Sequence, residues 1–178
     1  MSTTRRRALD AAVILVGTEG ARALTHGRVD AAASLPPGST SNHFRTRAAL
    51  LAGVIEWIAT AERDDGGAAA IGSRDELVAG LSRMVEAQSG PLAARTRARY
   101  ALFLEADEEA TQPLRAQRSG MEQWMRGILR DLGGAAAQAN TAFLMAAAEG
   151  LLLHRLTVDP DAPIETVIAR AVDAALDR

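Results

Sequence analysis

Residues 24–51 read LTHGRVDAAASLPPGSTSNHFRTRAALL, and their pattern predicts two short helices, a tight turn between them and the start of a third helix. Thr25 is the predicted N-cap of the first short helix, because a hydroxyl there can accept an otherwise unpaired backbone N–H. Its predicted inner face consists of Val29, Ala32 and Ala33. Pro36-Pro37 predicts the start of the second short helix, since proline is tolerated in a first helical turn.

The turn and the end of the second short helix are marked by apolar residues. Ser34-Leu35 predicts the turn, with Leu35 directed inward, and Phe44 is predicted to close the helix against the core. Between them the helix opens on small and polar residues, which are Gly38, Ser39, Thr40, Ser41 and Asn42. Such residues are poor core material, but they let a backbone approach a DNA groove closely and can bond bases or phosphates. The stretch therefore predicts a helix-turn-helix.

Two longer helices are predicted on either side of this stretch. The first begins after a cap at Ser2, Thr3 or Thr4 and ends near Glu19, with Gly20 as its stop. Its predicted buried stripe is Leu9, Ala12, Val13 and Val16. The second begins near residue 46 and is predicted to bury Leu50, Leu51, Val54, Ile55 and Ile58. Residues 64–67, Asp-Asp-Gly-Gly, predict a soft connection to a rear module.

Helical periodicity then recurs to the end of the chain, over residues 74–89, 91–109, 113–132, 135–157 and 162–177. The stretches are separated by glycine and proline breaks, including Gly133-Gly134. The last one carries a continuous apolar stripe made of Ile164, Val167, Ile168, Ala171, Val172, Ala175 and Leu176. The alternation typical of strands is missing from the sequence. We therefore predict an all-α fold of about nine helices.

Composition and charge narrow the class of protein. The chain has 178 residues, 48% of them apolar, which is enough for a core, and no Cys, which excludes disulfides and thiolate chemistry. Its apolar runs are shorter than the roughly 18 residues that span a bilayer, and a secretory signal is missing. We therefore expect a cytoplasmic protein with no membrane partner.

The charge is divided unevenly along the chain. Residues 1–50 carry seven Arg against three acidic residues, whereas the remainder carries thirteen Arg against nineteen acidic residues. A basic front and an acidic rear predict that only the front meets a polyanion such as DNA.

The front stretch resembles the DNA-binding domain of the TetR family of bacterial transcriptional repressors. In that family a Thr opens the second helix, an Ile-Ala pair and an Ala-Gly-Val turn follow, and Gly-Thr-Leu-Tyr-x-His-Phe forms the recognition helix before a Lys. The matching residues here are Thr25, Val29, Ala33-Ser34-Leu35, Gly38, His43-Phe44 and Arg47.

Four residues depart from the family pattern. Ser41 stands in place of the Tyr that contacts the DNA backbone, and Thr40 stands in place of Leu. Asp30 replaces a small apolar residue, and Ser34 replaces the turn Gly. Ser41 can still donate a hydrogen bond but reaches less far.

The resemblance implies a set of DNA-contacting residues, which is Thr25, His26, Arg28, Pro37, Gly38, Ser39, Thr40, Ser41, Asn42, His43 and Arg47. Within it, His43 and Arg47 are expected to bind phosphates, and Thr40 or Asn42 to influence sequence preference. The alternatives are a His43 packed beside Phe44, a solvated Arg47, and small residues that only serve helix geometry.

For the rear, the resemblance implies a homodimer formed by the last two helices and a small apolar effector. The expected dimer contacts are Phe143, Ala147, Leu151, Ile168 and Val172, with a helix packed only within its own chain as the alternative. The candidate effector-lining residues are Trp57, Met84, Tyr100, Phe103, Met121, Trp124 and Met125, each of which has plain core packing as its alternative.

Catalytic and metal-binding patterns are missing from the sequence. His26, His43 and His154 lack ligand spacing, and a P-loop, a GxGxxG motif and a nucleophile elbow are all missing. We therefore expect no cofactor, no metal and no enzymatic activity.

Together with the residues above, the resemblance implies a homodimeric regulator, with a DNA-binding domain at 1–50 and an effector-binding and dimerisation domain at 51–178. The expected partners are double-stranded operator DNA, a second copy of the chain and a small molecule that releases a repressor from DNA. One alternative is a helical ligand-binding or dimerisation protein whose degenerate helix-turn-helix no longer reads DNA, and a small helical-bundle enzyme is another.

Overall fold

A computed structural model describes residues 2–65 and 71–176. Within those ranges it contains nine α-helices, a short 3-10 helix and no strand, which confirms the predicted all-α fold. The helices are α1 (Thr3–Glu19), the 3-10 helix (Ala21–Ala23), α2 (His26–Ala32), α3 (Ser39–His43), α4 (Arg47–Asp65), α5 (Arg74–Ser89), α6 (Ala93–Glu105), α7 (Gln112–Ala139), α8 (Thr141–Thr157) and α9 (Ile164–Ala175). In the described part of the chain, every helix is too short or too polar to cross a membrane.

The helix ends in the front of the chain follow the predicted capping signals. The Ser2 hydroxyl accepts the backbone N–H of Arg5 at 3.2 Å, and Gly20 ends α1 with φ at +82°. The Thr25 hydroxyl caps α2 by accepting the backbone N–H of Arg28 at 3.4 Å. These bonds pair backbone groups that a helix terminus leaves without an internal partner.

The chain forms two compact units. The first comprises residues 1–67 and 94–117, and the second comprises 68–93 and 118–178. The core of the first unit includes the fully buried Leu9, Leu24, Leu50, Ile55, Ile58, Leu102 and Leu114. The core of the second includes the fully buried Leu77, Met125, Leu129, Leu144, Ile168 and Val172.

Two details of the front stretch differ from the predictions. α3 begins at Ser39 instead of at Pro36-Pro37, because Gly38 has φ at +87° and a right-handed helix cannot continue through that conformation. Ala32 is exposed, and Asp30 is buried on the inner side of α2 together with Val29.

Two helices in the second half also differ from the predictions. Gly134 breaks α7 as predicted, with φ at +74°, but helical backbone resumes only as far as Ala139. α8 then starts at Thr141, so the predicted helix over 135–157 is two helices joined at Asn140. α6 stops at Glu105, short of the predicted 109. For the soft connection predicted at 64–67, α4 includes Asp65, while 66 and 67 lie outside the described residues.

Candidate nucleic-acid interface

The helix-turn-helix of α2 and α3 is anchored in the core of the first unit by apolar residues. Val29 of α2 is fully buried, Leu35 in the turn packs partly buried against the same core, and Phe44 at the end of α3 is 5% exposed. The Phe44 ring lies so close to the backbone of α4 at Gly53 that a Cβ added there would overlap it. The C-terminal end of α3 is thus fixed by a close contact that needs glycine.

The N-terminal end of α3 is held by the carboxylate of Asp30. Its Oδ2 accepts the backbone N–H of Gly38 at 2.8 Å. Its Oδ1 accepts the backbone N–H of Thr40 at 2.8 Å and the Thr40 hydroxyl at 2.5 Å. Asp30 is 4% exposed and Thr40 is fully buried. Asp30 and Thr40, two of the four residues that depart from the family pattern, therefore bind each other.

The burial of Asp30 and its hydrogen bonds change the pKa of its carboxyl group. Burial raises the pKa of the carboxyl, but the hydrogen bonds from Thr40 and Gly38, helped by the charge of His26, outweigh that effect. The pKa of Asp30 consequently lies below its ordinary value of 3.8, and the group is charged at neutral pH.

Three of the predicted DNA-contacting side chains have partners within the protein. His26 donates from Nε2 to the carbonyl of Phe44 at 2.6 Å, and so connects the start of α2 to the end of α3. Arg28 forms an exposed ion pair with Glu19 at 2.5 Å. Arg47 donates from Nη2 to the carbonyl of Ala21 at 2.7 Å but keeps an exposed side chain.

The remaining predicted contacts lie on the outer side of this motif. Exposed residues are Thr25, Pro37, Gly38, Ser41, Asn42 and His43, and Ser39 is half-buried. The hydroxyls of Ser39 and Ser41 donate to the carbonyls of Pro36 and Gly38, at 2.6 and 2.9 Å. Their oxygens can still accept bonds from a ligand. Thr40 differs from all of these, because its side chain points inward to Asp30.

Two arginines beside the motif, Arg7 and Arg45, lie outside the predicted set of DNA-contacting residues. Arg7 of α1 donates from Nη2 to the carbonyls of Ala33 and Ser34, at 2.6 and 3.2 Å, and so supports the turn. Arg45 is exposed directly after Phe44 and adds a cation two residues after His43 in the sequence. The only signal for Arg45 was the basic Arg-Thr-Arg sequence that follows α3.

The predicted effector-lining residues divide between the two units. Trp57, Tyr100 and Phe103 belong to the first, and Met84, Met121, Trp124 and Met125 belong to the second. The Trp57 indole donates to Oδ1 of Asp10 at 2.9 Å, which joins α4 to α1. Met125 is 2% exposed in the core of the second unit, and Trp124 is 37% exposed.

An open cleft of about 720 Å³ lies within the first unit. It is lined by Glu19, Ala21, Arg22, Arg47, Leu51, Glu105 and Ala106. These residues include none of the predicted effector set. Clusters of three or more His, Asp or Glu with metal-binding geometry are missing from the described residues.

A buried ion pair connects α4 to α6 within the first unit. Arg99 donates to Oε1 of Glu62 at 2.8 Å, and the two residues are 9% and 6% exposed. Burial raises the pKa of Glu62 above its ordinary value, although the charges of Arg99 and Arg95 act in the opposite direction. Breaking such a pair on one side leaves an uncompensated charge in the interior.

The predicted dimer residues occupy two different environments. Leu151, Ile168 and Val172 are buried in the core of their own unit. Phe143 is 50% exposed, and Ala147 is half-buried. The same outer face of α8 carries Ala146, Gly150 and Leu153, and Leu153 is 47% exposed.

Comparisons with known proteins agree with this architecture. The family model described as "Tetracyclin repressor-like, C-terminal domain" matches residues 72–178, which is more than half of the chain. No curated protein matches the sequence well enough to count as a relative.

Solved structures share the fold over nearly the whole chain. A TetR-family member from Streptomyces coelicolor A3 is 24% identical, with 98% of each chain covered and a TM-score of 0.74. A transcriptional regulator from Rhodococcus sp. Rha1 is 18% identical, with 98% of this chain and 95% of that chain covered and a TM-score of 0.79. The multidrug binding protein EbrR, complexed with ethidium, is 22% identical, with 97% and 98% covered and a TM-score of 0.68. With the family model covering most of its length, the chain belongs to the TetR family of bacterial transcriptional regulators.

Proposed function

We propose that this chain is a homodimeric repressor that binds operator DNA through residues 1–50 and is released when a small apolar effector binds within residues 51–178. The observation that carries the proposal is the outer side of the helix-turn-helix. Polar and small side chains are exposed there, on a helix whose opposite side is fixed in the core. A helix of this kind suits the major groove, where its first residues meet base edges.

The exposed residues divide by the DNA groups that they can reach. Asn42 carries an amide that can pair with a base edge, so we assign it to sequence reading. His43 and Arg47 are assigned to phosphates, with Thr25, Arg28 and Ser41 as further backbone contacts. Arg47 can bind a phosphate while it holds the Ala21 carbonyl, because a guanidinium has five N–H donors and that bond uses one.

For the homodimer, we propose the outer face of α8 as the contact surface. Phe143 and Leu153 supply exposed apolar area, and the small residues Ala146, Ala147 and Gly150 between them allow a second helix to approach closely. A two-fold pairing of this face with itself would give a symmetric dimer, for which we expect an operator with two half-sites about 34–36 Å apart, one turn of DNA.

The effector is proposed to shift the equilibrium between a conformation that binds DNA and one that does not. It must bind the state that cannot hold DNA more tightly than the state that can, since a ligand with equal affinity for both shifts nothing. EbrR, which has the same fold, has been solved with ethidium and with proflavin, and these complexes support a small molecule as the ligand class. Apolar residues such as Met121 and Trp124, both in the second unit, suit such a ligand.

One argument for a helix-turn-helix that no longer reads DNA is the charged Asp30 in place of a small apolar residue. That residue now has a structural explanation, because its carboxylate binds Gly38 and Thr40 instead of facing DNA. Ser41 in place of Tyr is the remaining support for the alternative, and it removes reach without removing the hydrogen-bonding group.

The test is a selection from a random-sequence duplex library with the full chain, followed by fluorescence anisotropy on the enriched duplex and on a scrambled version. We expect enrichment of a palindrome, tighter binding to it than to the scramble, and affinity that falls steeply with salt. Replacing His43 and Arg47 together with Ala should weaken binding to both duplexes, whereas Asn42→Ala should change the preferred sequence. Equal affinity for both duplexes with a flat salt dependence would refute the regulator function.

A further inference from the structure

We propose that Asp30 is a positioning residue for DNA recognition, which fixes the rotation of the reading helix α3 about its own axis through its bonds to Gly38 and Thr40. This inference rests on the proposed DNA binding of α3. Asp30 itself touches no DNA group, because it is buried beneath the helix.

α3 depends on contacts from elsewhere in the fold. It has five residues, whereas isolated helices shorter than about 12 residues are marginal in water. Its N-cap, Gly38, has no side chain that could accept the first backbone N–H groups. Asp30, on the neighbouring helix, supplies that acceptor with both of its carboxylate oxygens.

The hydrogen bonds fix a direction as well as a position. They hold Thr40 on the inner side of α3, where Phe44, one turn later, is also buried. Asn42 lies two residues from each of them and therefore points nearly opposite, to the exposed side. If Thr40 were released, the helix could rotate and Asn42 would no longer be held toward the groove.

The same bonds limit what α3 can offer to DNA. The backbone N–H groups of Gly38 and Thr40 and the Thr40 hydroxyl all donate to Asp30, and the carboxylate places a negative charge there. These three donors are therefore not available to a phosphate, and a phosphate near them would also meet the negative charge of the carboxylate. Recognition falls to Asn42 and His43 farther along.

Asp30 and Thr40 both stand at positions that are apolar in the family pattern, so together they replace an apolar pair with a hydrogen-bonded one. The family pattern has a small apolar residue where this chain has Asp30, and Leu where it has Thr40. Asp30→Ala alone leaves a buried hydroxyl and two backbone N–H groups without their acceptor, which costs more than losing the bonds in water would. Adding Thr40→Leu removes the hydroxyl and fills the space, so the double variant should recover the part of the loss that comes from the buried hydroxyl.

The experiment compares full-length variants on the duplex enriched by the wild-type chain. We expect Asp30→Ala to weaken binding about 10-fold or more, because apparent affinity falls with the fraction of molecules in the reading conformation. Thr40→Val should weaken it about threefold, since one of three bonds is lost. The double variant D30A/T40L should bind more tightly than D30A. Asp64→Asn, which removes an exposed carboxylate on α4, is the charge control and should stay within about twofold.

A second readout does not depend on DNA. In the free protein, hydrogen exchange at the Thr40 amide should be slow in the wild type and faster in T40V and D30A, while the amides of α1 keep their protection. If D30A fails to fold, the comparison of amide exchange and DNA affinity between T40V and the wild type still tests the inference. Unchanged Thr40 exchange in T40V together with wild-type affinity would overturn the inference. If the wild type enriches no duplex, the regulator function fails, and the exchange rates still test the cap.

Discussion

Truncating Phe143 gives the sharpest test of the proposed α8 interface. The side chain is 50% exposed in one protomer, so about 100 Å² of a phenylalanine is available for burial by a partner. A two-fold interface contains two copies, or about 200 Å² in all. At about 25 cal/mol per Å², Phe143→Ala would then cost up to about 5 kcal/mol of dimerisation free energy.

The measured cost should be smaller than this ceiling, because buried area converts incompletely into affinity when side chains must also be ordered. We expect about 2–4 kcal/mol, which raises the dimer dissociation constant about 30- to 1,000-fold. Sedimentation velocity over a range of concentrations measures this constant directly. DNA affinity should fall in parallel, since a monomer presents one reading helix to a two-part site.

Leu104→Ala is the matched control. Leu104 is 86% exposed but lies on α6 in the other compact unit, so its truncation should leave the dissociation constant unchanged. The reasoning is refuted if F143A stays dimeric at the same concentrations as the wild type. It is refuted equally if L104A dissociates the dimer as strongly as F143A does.

Three further predictions concern the first unit. Because the pKa of Asp30 is lowered in the folded state, the ionised carboxylate stabilises the fold fully above pH 3.8, and this stabilisation is lost as the pH falls through the folded pKa. In urea titrations, the difference in unfolding free energy between the wild type and D30N should therefore stay constant down to about pH 4 and shrink at lower pH. Glu62→Ala should destabilise the fold by about 3 kcal/mol in urea unfolding, because it leaves a buried guanidinium without its carboxylate; a loss below 1 kcal/mol would contradict this. Gly17→Ala should lower the melting temperature because its Cβ would overlap the carbonyl of Ala94, whereas Gly27→Ala, with open space around it, should raise it slightly.

Local signals in the sequence were sufficient for most helix ends and for the motif. The caps at Ser2 and Thr25, and the stop at Gly20, depend on residues within one turn of the bonds they make. Phe44 was predicted to be buried because it is a large aromatic residue at the end of an otherwise polar helix, where the core is the apolar surface that it can pack against. Features that depend only on residues close together in the sequence can be predicted without knowledge of the tertiary structure.

The failures concern contacts between residues far apart in the chain. An amphipathic stripe shows that a helix buries one face but not what covers it; in this structure Ile168 and Val172 are buried within their own unit, where α9 packs against α5 and α8. The start of α3 was misplaced because the backbone of Gly38 is held by an acceptor eight residues earlier. Asp30 and Thr40 were each noted as departures, but only the fold brings them within 2.5 Å.

The two ends of α3 are held by different side chains, Phe44 at one end and Asp30 at the other, and the difference bears on recognition. The contact of Phe44 with α4 is apolar, so it fixes distance strongly but orientation only weakly, since dispersion and burial have little directional preference. The bonds from Asp30 are directional and weaken steeply when the donor turns away from its acceptor. A five-residue helix held only at its Phe44 end, by this packing and by the bond from His26 to the Phe44 carbonyl, could still pivot about that end. With the charged cap at its other end, rotation breaks up to three hydrogen bonds in a buried site, and the outward direction of Asn42 becomes part of the folded structure instead of something that DNA must impose.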